Sequence, residues 1–246
     1  MPCFRLEFSH VNPLYQIPRT GAAAARFDEG LRQHMLGIYR NMGIGLAITG
    51  LVALAVANTP ALVALIFGTP LKWVAMFAPL AFIFFFQFRI ERMSVAGART
   101  AFFAFAGVMG VSMASIFLVF TGQSIAMAFF AAAAMFLALS LFGYSTKRDL
   151  TGMGTFLFVG LIAVVLASIV NIFLGSSLLQ MLLSVVGVVV FAGLTAWDTQ
   201  RLKSEYAHYG RSEAADKLAI MGALSLYLNL INMFQLLLGL MGQREE

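Results

Sequence analysis

The sequence predicts an all-α integral membrane protein with seven transmembrane helices, the last of them central in the bundle. Three observations carry that prediction. Hydrophobic residues make up 61% of the 246 residues and charged residues only 11%, against roughly a quarter charged in an ordinary soluble domain. The mean hydropathy of +0.88 means more apolar side chain than one globular core could cover with polar surface. The apolar residues also fall into seven long runs parted by short segments that hold most of the charge. A hydrocarbon layer of roughly 30 Å takes about 20 residues of helix to cross. Unbroken runs rich in Ala, Leu and Met read as helices, because barrel strands alternate polar and apolar residues in segments of about ten. This composition excludes a disulfide scaffold, a disordered tail and a typical cytosolic enzyme.

The first run, Gly37–Ala57, follows a polar segment, 1–36. Ala55-Val56-Ala57 has the look of a signal-peptidase site, but the run is too long and starts too late for a signal peptide, so it is read as a retained span. The second, Trp73–Phe88, is the shortest, and Leu71 and Lys72 extend it with an interfacial anchor. The third and fourth, Thr100–Phe120 and Ile125–Gly143, are joined by Thr121 to Ser124, a connection with room only for a tight hairpin. The fifth and sixth, Gly152–Phe173 and Leu178–Trp197, are joined as tersely through Gly175-Ser176-Ser177. The seventh is Leu218–Met241. No linker or internal repeat divides the chain, so 37–242 reads as one domain. Gly43, Gly45 and Gly50, Gly107 and Gly110, and Ala131 to Ala134 are read as close-packing surfaces, and Phe82, Phe84, Phe85 and Phe86 as lipid-facing bulk.

Orientation follows from the basic residues. All lysines and arginines except Lys72 and Arg244 lie in the segments on one side: Arg5, Arg19, Arg26, Arg32 and Arg40; Arg89, Arg92 and Arg99; Lys147 and Arg148; Arg201, Lys203, Arg211 and Lys217. The positive-inside rule puts that side, and the N-terminus, in the cytoplasm. The net charge of +5 is therefore read as topology, and no nucleic-acid partner is expected. Cys3 is the single cysteine and has no intrachain partner.

An ionisable group at membrane depth is the best pointer to function. Asp198 closes the sixth run, and two readings stand side by side: an interfacial aspartate paired with Arg201 three residues on, or a buried functional carboxylate. In the seventh run, Ser225, Asn229 and Asn232 share one helical stripe. Hydrogen-bonding groups there face protein or water, either as glue between helices or as the lining of an ion path, and both readings put this helix inside the bundle. His10, His34 and His208 have no metal-ligand spacing, and there is no nucleophile elbow, HExxH, Walker loop or dinucleotide fingerprint. No metal, cofactor or enzymatic activity is expected.

Several strings resemble the Bax inhibitor-1 (transmembrane Bax inhibitor motif) family, in its bacterial YccA-like branch. They are Leu141–Thr151 (LFGYSTKRDLT), Ser184–Lys203 (SVVGVVVFAGLTAWDTQRLK), Gly222–Phe234 (GALSLYLNLINMF) and Gly45–Leu54, and the likeness runs from about Leu31 to Gly242. It implies a seven-helix fold with the last helix wrapped by the other six, in a bacterial inner membrane. It also implies a pH-sensitive calcium leak in which two aspartates near the cytoplasmic side share a proton and gate the path. Asp198 matches the first aspartate. The second belongs to an LYLDFIN pattern, and here that position is Asn229. Two close carboxylates cannot both ionise cheaply, which makes a pH sensor; an amide offers a donor and an acceptor at every pH but does not titrate. The substitution relieves Asp198 of like-charge repulsion and predicts altered gating.

The resemblance further implies a basic latch on the first aspartate at the end of the second span, where Arg92 is the positional candidate and Arg89 stands behind it; topology anchoring accounts for both equally well. Calcium is expected as the permeant ion rather than as a bound cofactor, since a hard cation wants several oxygen ligands and the spans offer few. Two other functions remain open. One is a non-channel interaction protein that modulates a membrane protease or another membrane complex. The other is a proton-coupled transporter with Asp198 as carrier.

Overall fold

A computed structural model describes residues 21–210 and 212–243, with backbone alone for residues 21–26 and Glu91. Cys3, Arg5, His10, Arg19, Arg211, Arg244 and the side chain of Arg26 lie outside the described residues, as do residues 1–20 of the N-terminal segment. The described residues form helices α1 (Gly21–Ala57), α2 (Pro60–Phe67), α3 (Leu71–Arg89), α4 (Val95–Met113), α5 (Gly122–Ser145), α6 (Thr151–Leu174), α7 (Ser177–Tyr209) and α8 (Glu213–Met241). Short 3-10 turns follow α3 and α4. Among the described residues seven helices are long and apolar enough to cross a membrane, and each contains most of one predicted run.

Helix ends follow local chemistry. Ser94, Thr121, Ser176 and Ser212 accept a backbone N–H from the first turn of α4, α5, α7 and α8, which satisfies an otherwise orphaned donor. Gly175 ends α6 in the left-handed region at φ 61°, a conformation open to glycine at little cost. With Ser176 capping the next helix, the α6–α7 hairpin is as tight as the sequence requires.

Two helices outrun their apolar stretches. α1 begins at Gly21, well before Gly37, and α7 continues to Tyr209, well past Trp197. At 1.5 Å per residue both are roughly 50 Å long, more than a hydrocarbon layer needs. Their polar ends meet beyond it, where Tyr206 lies 5.7 Å from Phe27 and 4.9 Å from His34 between ring centroids. α2 is too short to span, and its Pro60 occupies the first helical turn, where a missing N–H costs nothing.

α8 takes the central position, with half of its most apolar window buried, the largest share of the seven spans. It packs directly on α7, α5, α1 and α4, whereas α3 rests on α4 and α6 on α7, so the wrap is four helices deep with two outside. Tyr227 of α8 is fully buried with Phe102 and Phe105 edge-on at 5.8 Å. Its hydroxyl meets Thr49 Oγ1 at 2.6 Å, and that hydroxyl also reaches the Ala106 carbonyl at 2.9 Å, tying α1, α4 and α8.

The small-residue reading holds only in part. A Cβ at Gly45 would strike Phe102 and one at Gly110 would strike Thr49 and Val52, but Gly43, Gly50 and Gly107 face open space. Among the phenylalanines, Phe84 and Phe85 are exposed on the outside of the bundle, but Phe86 is buried and Phe82 packs on Phe105. These corrections arise because run composition says nothing about which side of a helix meets a neighbour.

Candidate functional site

α7 stays helical through Asp198 because the TWDTQRLK string contains no breaker and its polar side chains find partners. Asp198 lies about 30 Å along the helix axis from Ser177 and is 5% exposed. Arg201 Nη2 donates to its Oδ1 at 2.7 Å, and Asn229 Nδ2 donates to its Oδ2 at 2.8 Å. The aspartate therefore combines the geometry of both readings: it pairs with Arg201 one turn on, and it is buried against Asn229 of the polar stripe of α8.

The electrostatics are those of a shared charge. An ionised carboxylate removed from water costs several kcal/mol unless it is paired and hydrogen-bonded. The Arg201 side chain is 36% exposed, so its guanidinium reaches water while its tip enters the site. It stands 5.0 Å over the Trp197 ring and 3.8 Å from Glu205, and its Nε is buried without a hydrogen bond. The site is thus one carboxylate clasped by a cation and an amide, joining α7 to α8.

The remaining predicted residues are spread along the bundle. Ser225 and Asn232 are half-buried, and the Asn232 amide turns back to the Leu228 carbonyl at 2.8 Å. Among the described residues of the stripe, Asn229 is the one that bridges helices. Arg89 and Arg92 are exposed at the end of α3, Arg89 lying 6.0 Å from the Phe85 ring. Neither is paired with Asp198, whose cation is Arg201. His34 lies tilted against Tyr206 and His208 edge-on to Tyr209, and among the described residues no three His, Cys, Asp or Glu gather where a metal could sit.

Residues not singled out in the sequence complete the site. Gln200 accepts from Leu150 N at 2.8 Å and donates to the Arg148 carbonyl at 2.7 Å, while Lys203 donates to the Tyr144 carbonyl at 3.1 Å. The YSTKRDLT and WDTQRLK strings are therefore two halves of one α5–α7 joint. A Cβ at Gly143 would collide with the Ala196 carbonyl, so the glycine permits that approach. Ser140 bonds Tyr39 on one side and Thr199 on the other, the latter at 3.0 Å, forming a buried hydroxyl line from α1 to the residue beside Asp198. Gln235 continues the α8 stripe and lines a cleft of about 450 Å³ at the opposite end with Lys72, Ser112 and Ser115. The i, i+3 step from Asn232 was the signal for Gln235; nothing in the sequence signalled the Tyr39–Ser140–Thr199 line.

A family model described as inhibitor of apoptosis-promoting Bax1 matches residues 31–246. The chain is 44% identical over 220 residues to the uncharacterized protein RP147 of Rickettsia prowazekii, covering 89% of this chain and 93% of that one. It is 40% identical over 218 residues to the inner membrane protein YbhL of Escherichia coli, covering 87% and 93%. It is also 30% identical over 220 residues to the uncharacterized membrane protein SpyM3_0260 of Streptococcus pyogenes, covering 89% and 96%.

Proposed function

The chain belongs to the Bax inhibitor-1 family, and from that premise we propose that it is a calcium leak channel of that family's kind whose response to pH is blunted. The observation that carries the proposal is the 2.8 Å bond from Asn229 to Asp198, which joins the central helix to α7 at the edge of the hydrocarbon layer. In a two-carboxylate gate, losing the shared proton drives the helices apart. Here the donor is an amide that does not titrate, so ionisation of Asp198 sets no second negative charge against it. Arg201 supplies the opposite charge, so the clasp favours a closed resting path with slow leak. A single carboxylate already bound on both oxygens is a poor calcium ligand, which fits calcium as a passing ion.

In this reading the protein sits in the inner membrane with its N-terminus in the cytoplasm, needs no cofactor and performs no covalent chemistry. The alternative, a non-channel protein that modulates a membrane protease or another membrane complex, is favoured by the same saturation of Asp198 and by the absence of any three-ligand cluster among the described residues. Reconstitution separates them. Purified protein in liposomes loaded with a calcium dye gives a slow uptake above empty vesicles, of similar rate across neutral and mildly acidic pH. No uptake at any pH, together with copurification of a protease, overturns the channel in favour of the modulator.

A further inference from the structure

Between α1 and α5, at the end of the bundle that gathers the basic residues, lies a lateral cleft of about 430 Å³. Its body is apolar, with Leu36, Leu137 and Leu141 exposed along it. Its rim is amphipathic and cationic. Tyr39, Tyr144 and Arg32 line it, and Lys203 stands 5.1 Å over the Tyr144 ring. Arg32 meets Glu29 at 3.8 Å, with the two side chains 70% and 53% exposed; a contact that long and that hydrated leaves the cation largely available.

In a bilayer the open side of this cleft faces hydrocarbon, so its occupant must bring an apolar chain for the leucines. At the boundary it must also bring a group that suits a cation and two phenol rings, which themselves favour the interface. We propose that the cleft binds one acidic glycerophospholipid, its acyl chain along Leu137 and Leu141 and its phosphate beside Arg32 at the rim, with the Lys203 charge behind the Tyr144 ring. Charge complementarity chooses an acidic lipid over a zwitterionic one, whose own ammonium would cancel the attraction of the rim. The floor of the cleft is Ser140, which joins Tyr39 to Thr199 beside Asp198, so the bound lipid touches the hydroxyl line that ends at the α7–α8 clasp. The site stands whether or not the protein conducts ions.

The test is retention of lipid by the full chain. Protein reconstituted in mixed phosphatidylglycerol and phosphatidylcholine vesicles is extracted in mild detergent and its bound lipid is identified by native mass spectrometry. The parent keeps phosphatidylglycerol in preference. Arg32→Ala lowers that retention roughly fivefold, the effect of one cation near a lipid phosphate, whereas Arg99→Ala, an exposed arginine at the same end, leaves it unchanged. Leu137→Trp, at a residue 66% exposed and therefore neutral for folding, narrows the acyl-chain path and lowers retention of both lipids. Equal retention of the two lipids by the parent, an equal loss in Arg99→Ala, or full retention in Leu137→Trp overturns the site.

Discussion

Asp198 is buried on α7 with one carboxyl oxygen bonded to a guanidinium and the other to an amide. The two donors differ in what they control. Arg201 neutralises, and without it the carboxylate is left buried with a single neutral donor. Arg201→Met should therefore cost about 1–3 kcal/mol, less than the loss of a fully buried partner because the guanidinium is partly hydrated. Thermal unfolding in detergent reads the loss, and calcium uptake in liposomes should rise as the clasp loosens. Arg92→Ala should leave the leak unchanged, because the side chain is exposed and Asp198 already has its cation; a raised leak would bring the arginine latch back. Asn229 determines how the joint answers pH, since it donates without titrating.

At the scale of the helix, close approach and capping give opposite expectations for superficially similar residues. A Cβ at Gly143 meets the Ala196 carbonyl, which is backbone and cannot give way, whereas one at Gly107 meets nothing within 4 Å. Gly143→Ala should cost about 2 kcal/mol or more, while Gly107→Ala should be neutral or gain up to ~1 kcal/mol of helix propensity; paired melting curves separate them. Asp149 opens α6 by accepting the Thr151 hydroxyl at 2.6 Å and its N–H at 2.9 Å. These bonds hold its carboxyl below the ordinary carboxylate range. Its contribution is therefore present above that range and lost as pH falls through the lowered value. Asp149→Ala should melt about 0.5 kcal/mol earlier at neutral pH, a small effect because the group is exposed, and the gap should close in strong acid. Hydropathy made the seven spans legible because burial in lipid demands continuous apolar residues. It hid the polar ends of α1 and α7, where a helix goes on after the lipid stops, and the short α2. The Asp198–Asn229 joint was legible only through the WDTQR and LYLNLIN strings, since composition places neither residue opposite the other. Gln200 and Lys203 stayed hidden because their partners are backbone groups of the α5–α6 connection and the end of α5, which no side-chain pattern announces.

Among the described residues the lysines and arginines other than Lys72, the polar ends of α1 and α7 and the Asp198 clasp gather at one end, and the cleft of Gln235 and Lys72 opens at the other. The proposed cytoplasmic placement of the first end predicts labelling of intact cells by an impermeant maleimide in a Cys3→Ser background: Asn58→Cys between α1 and α2 reacts, and Ser94→Cys between α3 and α4 does not. Reaction at Ser94→Cys alone would invert the protein. The α8 stripe runs between the two ends, and the clasp sits where it meets α7, so the response of the path to pH should be set by a single side chain. Calcium uptake across a pH series by the parent and by Asn229→Asp, reconstituted side by side, tests this most directly. The parent should give a nearly flat profile. Asn229→Asp should give a steep one, because the second carboxylate brings back a shared proton at the joint between α7 and α8. An identical steep response in both proteins, or a flat profile in Asn229→Asp that still conducts, would contradict it.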